Sequence, residues 1–130
     1  TSFGYFDDFK DNLKTLDSIK SSLKKNGLAV IDFLNIKYLK NNLIHKNTEE
    51  IDGIKFHLNR SIKNGFLTKK ISFKHELNEY NFEEKVRSLD LYDFKSMFKQ
   101  SNIEILHIFG DYKLTSFDEK KSKRLIFILK

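Results

Sequence analysis

Leu23-Lys24-Lys25-Asn26-Gly27-Leu28-Ala29-Val30-Ile31-Asp32-Phe33-Leu34-Asn35 is the stretch on which the fold turns. Leu28 to Ile31 is a short apolar run without alternation, the pattern of a strand buried on both faces as in parallel α/β sheets. It runs out into Asp32-Phe33-Leu34-Asn35. Upstream, Phe9, Leu13, Leu16, Ile19 and Leu23 recur at intervals of three and four, which predicts a helix with one buried face. Asp7 or Asp8 can cap it, placing negative charge against unpaired amides. Lys24 and Lys25 suit the negative end of its dipole, and Gly27 is expected to supply a left-handed stop. Helix, glycine and buried strand make half of a right-handed α/β unit.

Downstream the character changes. Ile36 to Leu43 reads as a short helix and Lys46 to Asp52 as polar loop. From Ile54 the period becomes two: Ile54, Phe56 and Leu58 alternate with Lys55, His57 and Asn59. Asn64-Gly65 is a hairpin signal, because both residues tolerate positive φ. Phe66 to Phe73 alternates again, residues 75–79 turn, and Tyr80 to Arg87 repeats the pattern. This predicts three antiparallel strands with one wet face, an insertion lying against or over the main sheet. Asp90 then caps a helix carrying Leu91, Phe94, Met97 and Phe98. Ile103 to Phe109 is a strand stopped by Gly110-Asp111, and Leu125 to Leu129 is the last strand. The divisions are 1–35, 36–89 and 90–130.

Composition sets the class. The chain has 130 residues, of which 39% are hydrophobic and 32% charged, so it reads as one soluble domain able to bury a core. No apolar run approaches a bilayer span, and no secretory signal pattern opens the chain. There is no cysteine, which excludes disulfides and thiolate chemistry and fits a reducing, cytoplasmic setting. The net charge is +6, yet only Arg60, Arg87 and Arg124 among the 24 basic residues are arginine. Lysines scattered along a chain suit solvation better than specific phosphate or base contacts, so nucleic acid is disfavoured as a partner.

The chemistry is sparse. The five glycines never form GxG, which argues against a phosphate or dinucleotide loop within these residues. The four histidines lie far apart, so no metal site is expected, and no nucleophile-elbow sequence supports a triad. Two places carry more. Asp32 and Asn35 stand where an apolar strand ends, and in open α/β sheets ligands bind beyond the carboxyl ends of strands. Asp32 capping the following turn is the competing reading. Ser2-Phe3-Gly4-Tyr5-Phe6 sets aromatic rings around a glycine before a helix, which suits stacking on a planar ligand or ordinary core packing.

Taken in order, TSFGYF (1–6), LKKNGLAVIDFLN (23–35), EKVRSLDLYDF (84–94), IEILHIFGDY (103–112) and SFDEKKSKRLIFILK (116–130) resemble the C-terminal half of a class I S-adenosylmethionine-dependent methyltransferase. Asn26-Gly27 stands where that family usually has Gly-Gly. The resemblance implies the C-terminal part of a seven-stranded Rossmann-like sheet with the three-stranded antiparallel subdomain inserted, the final strand being antiparallel. It implies methyl transfer from S-adenosylmethionine to a small molecule. Ser2, Phe3, Gly4 and Tyr5 would border the cofactor, and Asp32 and Asn35 would line the substrate side. The insertion would form a lid or pocket wall, with Arg60 and Arg87 as anchors for an acidic substrate or, alternatively, as surface partners of carboxylates. The family's glycine-rich loop and the acidic residue ending its second strand have no counterpart here. Together with an opening Thr1, this leads to the expectation of a fragment that is inactive alone, and a half-domain used only for dimerisation, through the sheet edge that the absent first strands should cover, is a further possibility. The alternative is a stand-alone basic module for RNA or an acidic partner.

Overall fold

Asp8 starts the first helix: its carboxylate accepts from the Lys10 amide at 2.9 Å, and helix α1 runs Phe9–Ser22. The structure, a computed structural model, describes residues 3–130. The elements that follow are β1 (Ala29–Leu34), α2 (Ile36–Asn42), β2 (Lys46–Ile51), β3 (Ile54–Lys63), β4 (Phe66–His75), β5 (Asn78–Arg87), α3 (Leu91–Gln100), β6 (Ile105–Phe109) and β7 (Arg124–Leu129). They divide into two compact units. One comprises the chain up to Asn41 together with Leu89–Lys130, and the other is Asn42–Ser88.

The first unit holds a three-stranded sheet in the order β1-β7-β6, with β7 antiparallel to both neighbours. The expectation that the strand at 28–31 is buried on both faces is corrected. β1 is antiparallel to β7 along its length, and among the described residues it has a strand on one side only. Its residues alternate: Ile31 and Phe33 are buried while Val30 is 63% exposed. The helix also stops earlier than Gly27. Leu23 is its C-cap in an extended conformation, and Gly27 instead closes a tight turn by donating to the Lys24 carbonyl at 2.8 Å. A side chain at Gly27 would meet that same carbonyl oxygen at 3.1 Å, so close approach rather than positive φ requires glycine.

Helix α3 seals one face of this sheet. Asp90 and Asp93 form a reciprocal capping box, which fixes where the helix begins. Phe94, Met97 and Phe98 then point inward. Phe94 is the hub: its ring lies 5.1 Å from Phe33, 5.0 Å from Phe127, 5.7 Å from Phe98 and 5.6 Å from Phe3. All but Phe3 are essentially without solvent contact, and each buried ring contributes roughly 1.5–3 kcal/mol.

The second unit is a four-stranded antiparallel meander, β2-β3-β4-β5. The expected three-stranded insertion is corrected to four strands, because Lys46–Ile51 is an edge strand and not a loop. Its polar, exposed composition hides it from periodicity arguments. Asp52-Gly53 joins β2 to β3 with φ of 51° and 78°, and Asn64-Gly65 joins β3 to β4 with 51° and 76°. Both are tight turns whose two central residues take the left-handed conformation, which matches the twist of the flanking strands.

Candidate functional site

At the end of β1 the chain gathers polar side chains from three places. Asp32 projects on the same face as Arg124 of β7, one diagonal step away in the register. Its Oδ1 accepts from Arg124 Nε at 2.8 Å and Nη2 at 2.7 Å, and its Oδ2 accepts from the Tyr112 hydroxyl at 2.9 Å. The Arg124 guanidinium also lies 5.8 Å from the centre of the Tyr112 ring. This hydrogen bond to Asp32 holds the Tyr112 phenol above the usual tyrosine range, opposed by the Arg124 charge. Tyr112 is thus a donor at neutral pH and no base.

Asn35 is 3% exposed, and its amide is fully engaged. Nδ2 donates to the Ser122 carbonyl at 2.7 Å and the Glu119 carbonyl at 2.9 Å, while Oδ1 accepts from the Lys37 amide at 3.2 Å. One side chain therefore caps α2 and pins the loop between β6 and β7. That loop is further fixed by aspartates bonding their own backbone. Asp118 accepts from the Lys120 and Lys121 amides, and Asp111 from Thr115 and Lys113, and these bonds hold both carboxyls below the usual aspartate range. Gly110 sits where a Cβ would run into the Ser122 side chain, so glycine lets the loop close on itself ahead of β7.

The opening segment splits by side chain. Phe3 is buried against Phe94, Gly4 has φ of +86°, and Tyr5 and Phe6 are about half exposed. Ser2 lies outside the described residues. Packing thus claims Phe3, and the rings that reach solvent beside the glycine are Tyr5 and Phe6.

Arg60 and Arg87 belong to the second unit. Arg60 donates to Asn47 Oδ1 and lies 3.8 Å from Glu49, and the Arg87 guanidinium rests 4.9 Å from the Phe66 ring centre. Nothing in the sequence joins Arg124 and Tyr112 to Asp32, because 92 and 80 residues separate them from it. A Tyr directly after Gly110-Asp111 is the one local sign. Among the described residues no group of three His, Asp or Glu side chains could hold a metal ion, and no helix is long and apolar enough to cross a membrane.

No family model and no curated protein matches the chain. Solved structures do. An S-adenosylmethionine-dependent methyltransferase from Clostridium acetobutylicum superposes with a TM-score of 0.84 at 18% identity, over 99% of this chain and 54% of that one. The CcbJ methyltransferase of Streptomyces caelestis gives 0.76 at 13% identity, over 93% and 53%. The SAM-bound amino pentose methyltransferase CalS10 of Micromonospora echinaspora, involved in calicheamicin biosynthesis, gives 0.60 at 6%, over 97% and 52%. The chain shares the mixed α/β fold of these proteins and spans about half the length of each.

Proposed function

We propose that this chain is the C-terminal part of a class I S-adenosylmethionine-dependent methyltransferase acting on a small molecule. One observation carries the reading: nearly the whole chain superposes on about half of a methyltransferase. The arrangement of the first unit agrees with it. β1 has a strand on one side only among the described residues, and extension of that edge by further strands would complete a seven-stranded Rossmann-like sheet.

The residues at hand fit the border of a cofactor site and not its anchors. Tyr5 and Phe6 present rings beside Gly4, suited to an apolar edge contact with a planar group. Phe3 is taken by the core, and the polar atoms of Asn35 are all engaged, so ribose hydroxyls and an amino acid moiety would need anchors elsewhere. The cofactor supplies a methyl group on a sulfonium centre, and the protein's task is to align and desolvate the acceptor. In this reading Asn35 and the Asp32–Arg124–Tyr112 cluster are positioning residues. They hold the loop of residues 110–123 beyond the end of β1, on the side proposed for substrate. Arg60 and Arg87, on the second unit, are the proposed anchors for an acidic acceptor.

The alternative of a basic module loses four lysines to internal pairing. Lys14, Lys37, Lys69 and Lys70 pair with Asp11, Glu119, Glu84 and Glu83 within the chain's own surface. Calorimetry tests the proposal. The 130-residue chain is expected to show no micromolar affinity for S-adenosylmethionine, and the polypeptide extended upstream of Thr1 is expected to bind it. Micromolar binding by the chain alone overturns the placement of the anchors. Failure of the extended polypeptide to bind overturns the methyltransferase reading.

A further inference from the structure

The second unit ends in a long exposed edge. β5 pairs with β4 over ten residues without a bulge, and its other edge has no strand beside it among the described residues. Asn78 to Lys85 are all exposed. Such an edge presents a row of backbone donors and acceptors that another strand can use, and charged side chains are the usual guard against it. β5 carries Glu79, Glu83, Glu84, Lys85 and Arg87. Where these charges fall decides which pairings they forbid.

Two copies joined antiparallel about a two-fold axis normal to the sheet keep each face continuous, so residues of the same parity meet. Four such registers keep more than half of β5 paired, centred on Asn81, Phe82, Glu83 or Glu84. The first sets Glu79 opposite Glu83 twice. The third and fourth set a glutamate opposite itself. Only the register centred on Phe82 places no like charges opposite one another, and it sets Glu79 against Lys85 of the second copy twice. Like charges directly opposite destabilise a ladder and opposite ones stabilise it.

The side chains on the apolar face agree with the same register. Phe73 stacks on Tyr80 at 5.0 Å and on Phe82 at 6.1 Å, and it meets Phe56 at 4.7 Å. This cluster ends at Phe82, which is 55% exposed on the edge strand. The Phe82-centred register puts Phe82 of the second copy beside it and continues the aromatic row across the junction. On the other face, the one Glu79 shares, the Lys85 ammonium lies 4.1 Å from the Phe66 ring centre over β4, and it meets Glu79 of the second copy by turning toward the free edge.

We infer that β5 pairs with β5 of a second copy in the Phe82-centred register, joining two four-stranded sheets into one of eight strands. The inference is independent of the methyl-transfer reading. Sedimentation velocity of the 130-residue chain is expected to show a concentration-dependent dimer. Glu79→Lys and Lys85→Glu should each weaken it about thirtyfold, since each reverses two symmetric pairs, and the double variant should recover it.

The absence of cysteine provides an independent readout. Directly opposed residues lie within disulfide reach, so Phe82→Cys should oxidise readily to a covalent dimer, whereas Glu79→Cys, far from its own copy, should not. A chain that stays monomeric at every concentration overturns the inference. So does a dimer indifferent to both charge reversals, or one in which Glu79→Cys crosslinks and Phe82→Cys does not.

Discussion

The two sheets of this protein solve the same problem differently. In the first unit a three-stranded sheet is covered by helix α3, and Phe33, Phe94, Phe98 and Phe127 lose essentially all contact with water. In the second unit four strands, three of them ten residues long, carry an aromatic row of their own, yet none of Phe56, Phe73, Tyr80 or Phe82 reaches full burial. The first sheet is held by packing against another layer. The second is held by its ladder, its three tight turns and cross-strand pairs such as Lys69–Glu84 and Lys70–Glu83. Each such pair contributes only about 0.2–1 kcal/mol. A covered sheet concentrates its stability in a few side chains, whereas a half-open one spreads it over many.

Truncating the hub is the strongest way to break that contrast. Phe94→Ala removes a ring that four others touch, and it should destabilise the first unit by about 3–5 kcal/mol in urea unfolding. The matching Phe73→Ala in the open sheet should cost about 1 kcal/mol, since part of that ring already faces solvent. Equal losses at the two positions would erase the distinction.

Asn35 sharpens it at the level of polar groups. Asn35→Ala leaves the Glu119 and Ser122 carbonyls without their donor and uncaps α2, an expected loss of about 2 kcal/mol by thermal unfolding. Amides in the loop of residues 110–123 should exchange faster in that variant, while those of β2 to β5 stay unchanged.

Acid gives the smallest and most local effect. The depressed carboxyls of Asp111 and Asp118 are charged in the folded loop down to a lower pH than in the unfolded chain. Their contribution is therefore complete above the ordinary aspartate value of about 4 and is lost as pH falls through the lower folded values. Hydrogen exchange at Lys120 and Lys121 should rise in that window, with the Asn64-Gly65 hairpin as the internal reference. Exchange that rises equally in both would place the acid response elsewhere.

Much of this architecture is legible in the residues. The three-and-four spacing of Phe9 to Ile19, the Asp90 cap, the Asn64-Gly65 turn and the apolar run of β7 each encode local geometry. Two features escape such local encoding for a common reason. The exposed face of β1 depends on what packs beside it, and the short apolar run Leu28 to Ile31 carries no record of its neighbour. β2 is too polar to show a buried face, although Asp52-Gly53 marks its turn as clearly as Asn64-Gly65 marks the next. The candidate site was legible only as positions. Asn35 follows the last residue of β1 and Asp32 lies two residues inside it, and their partners come from the loop of residues 110–123 and from Arg124 of β7, 80 to 92 residues away.

Helix starts, turns and the alternation of faces were thus determined by the sequence alone, because they arise from contacts among residues a few positions apart. Strand order, the closure of Gly110 on Ser122, the engagement of Asn35 and the joining of Asp32 to Arg124 and Tyr112 were decided by tertiary structure. Those contacts link distant segments, and their geometry exists only once the core around Phe94 has brought β1 and β7 together.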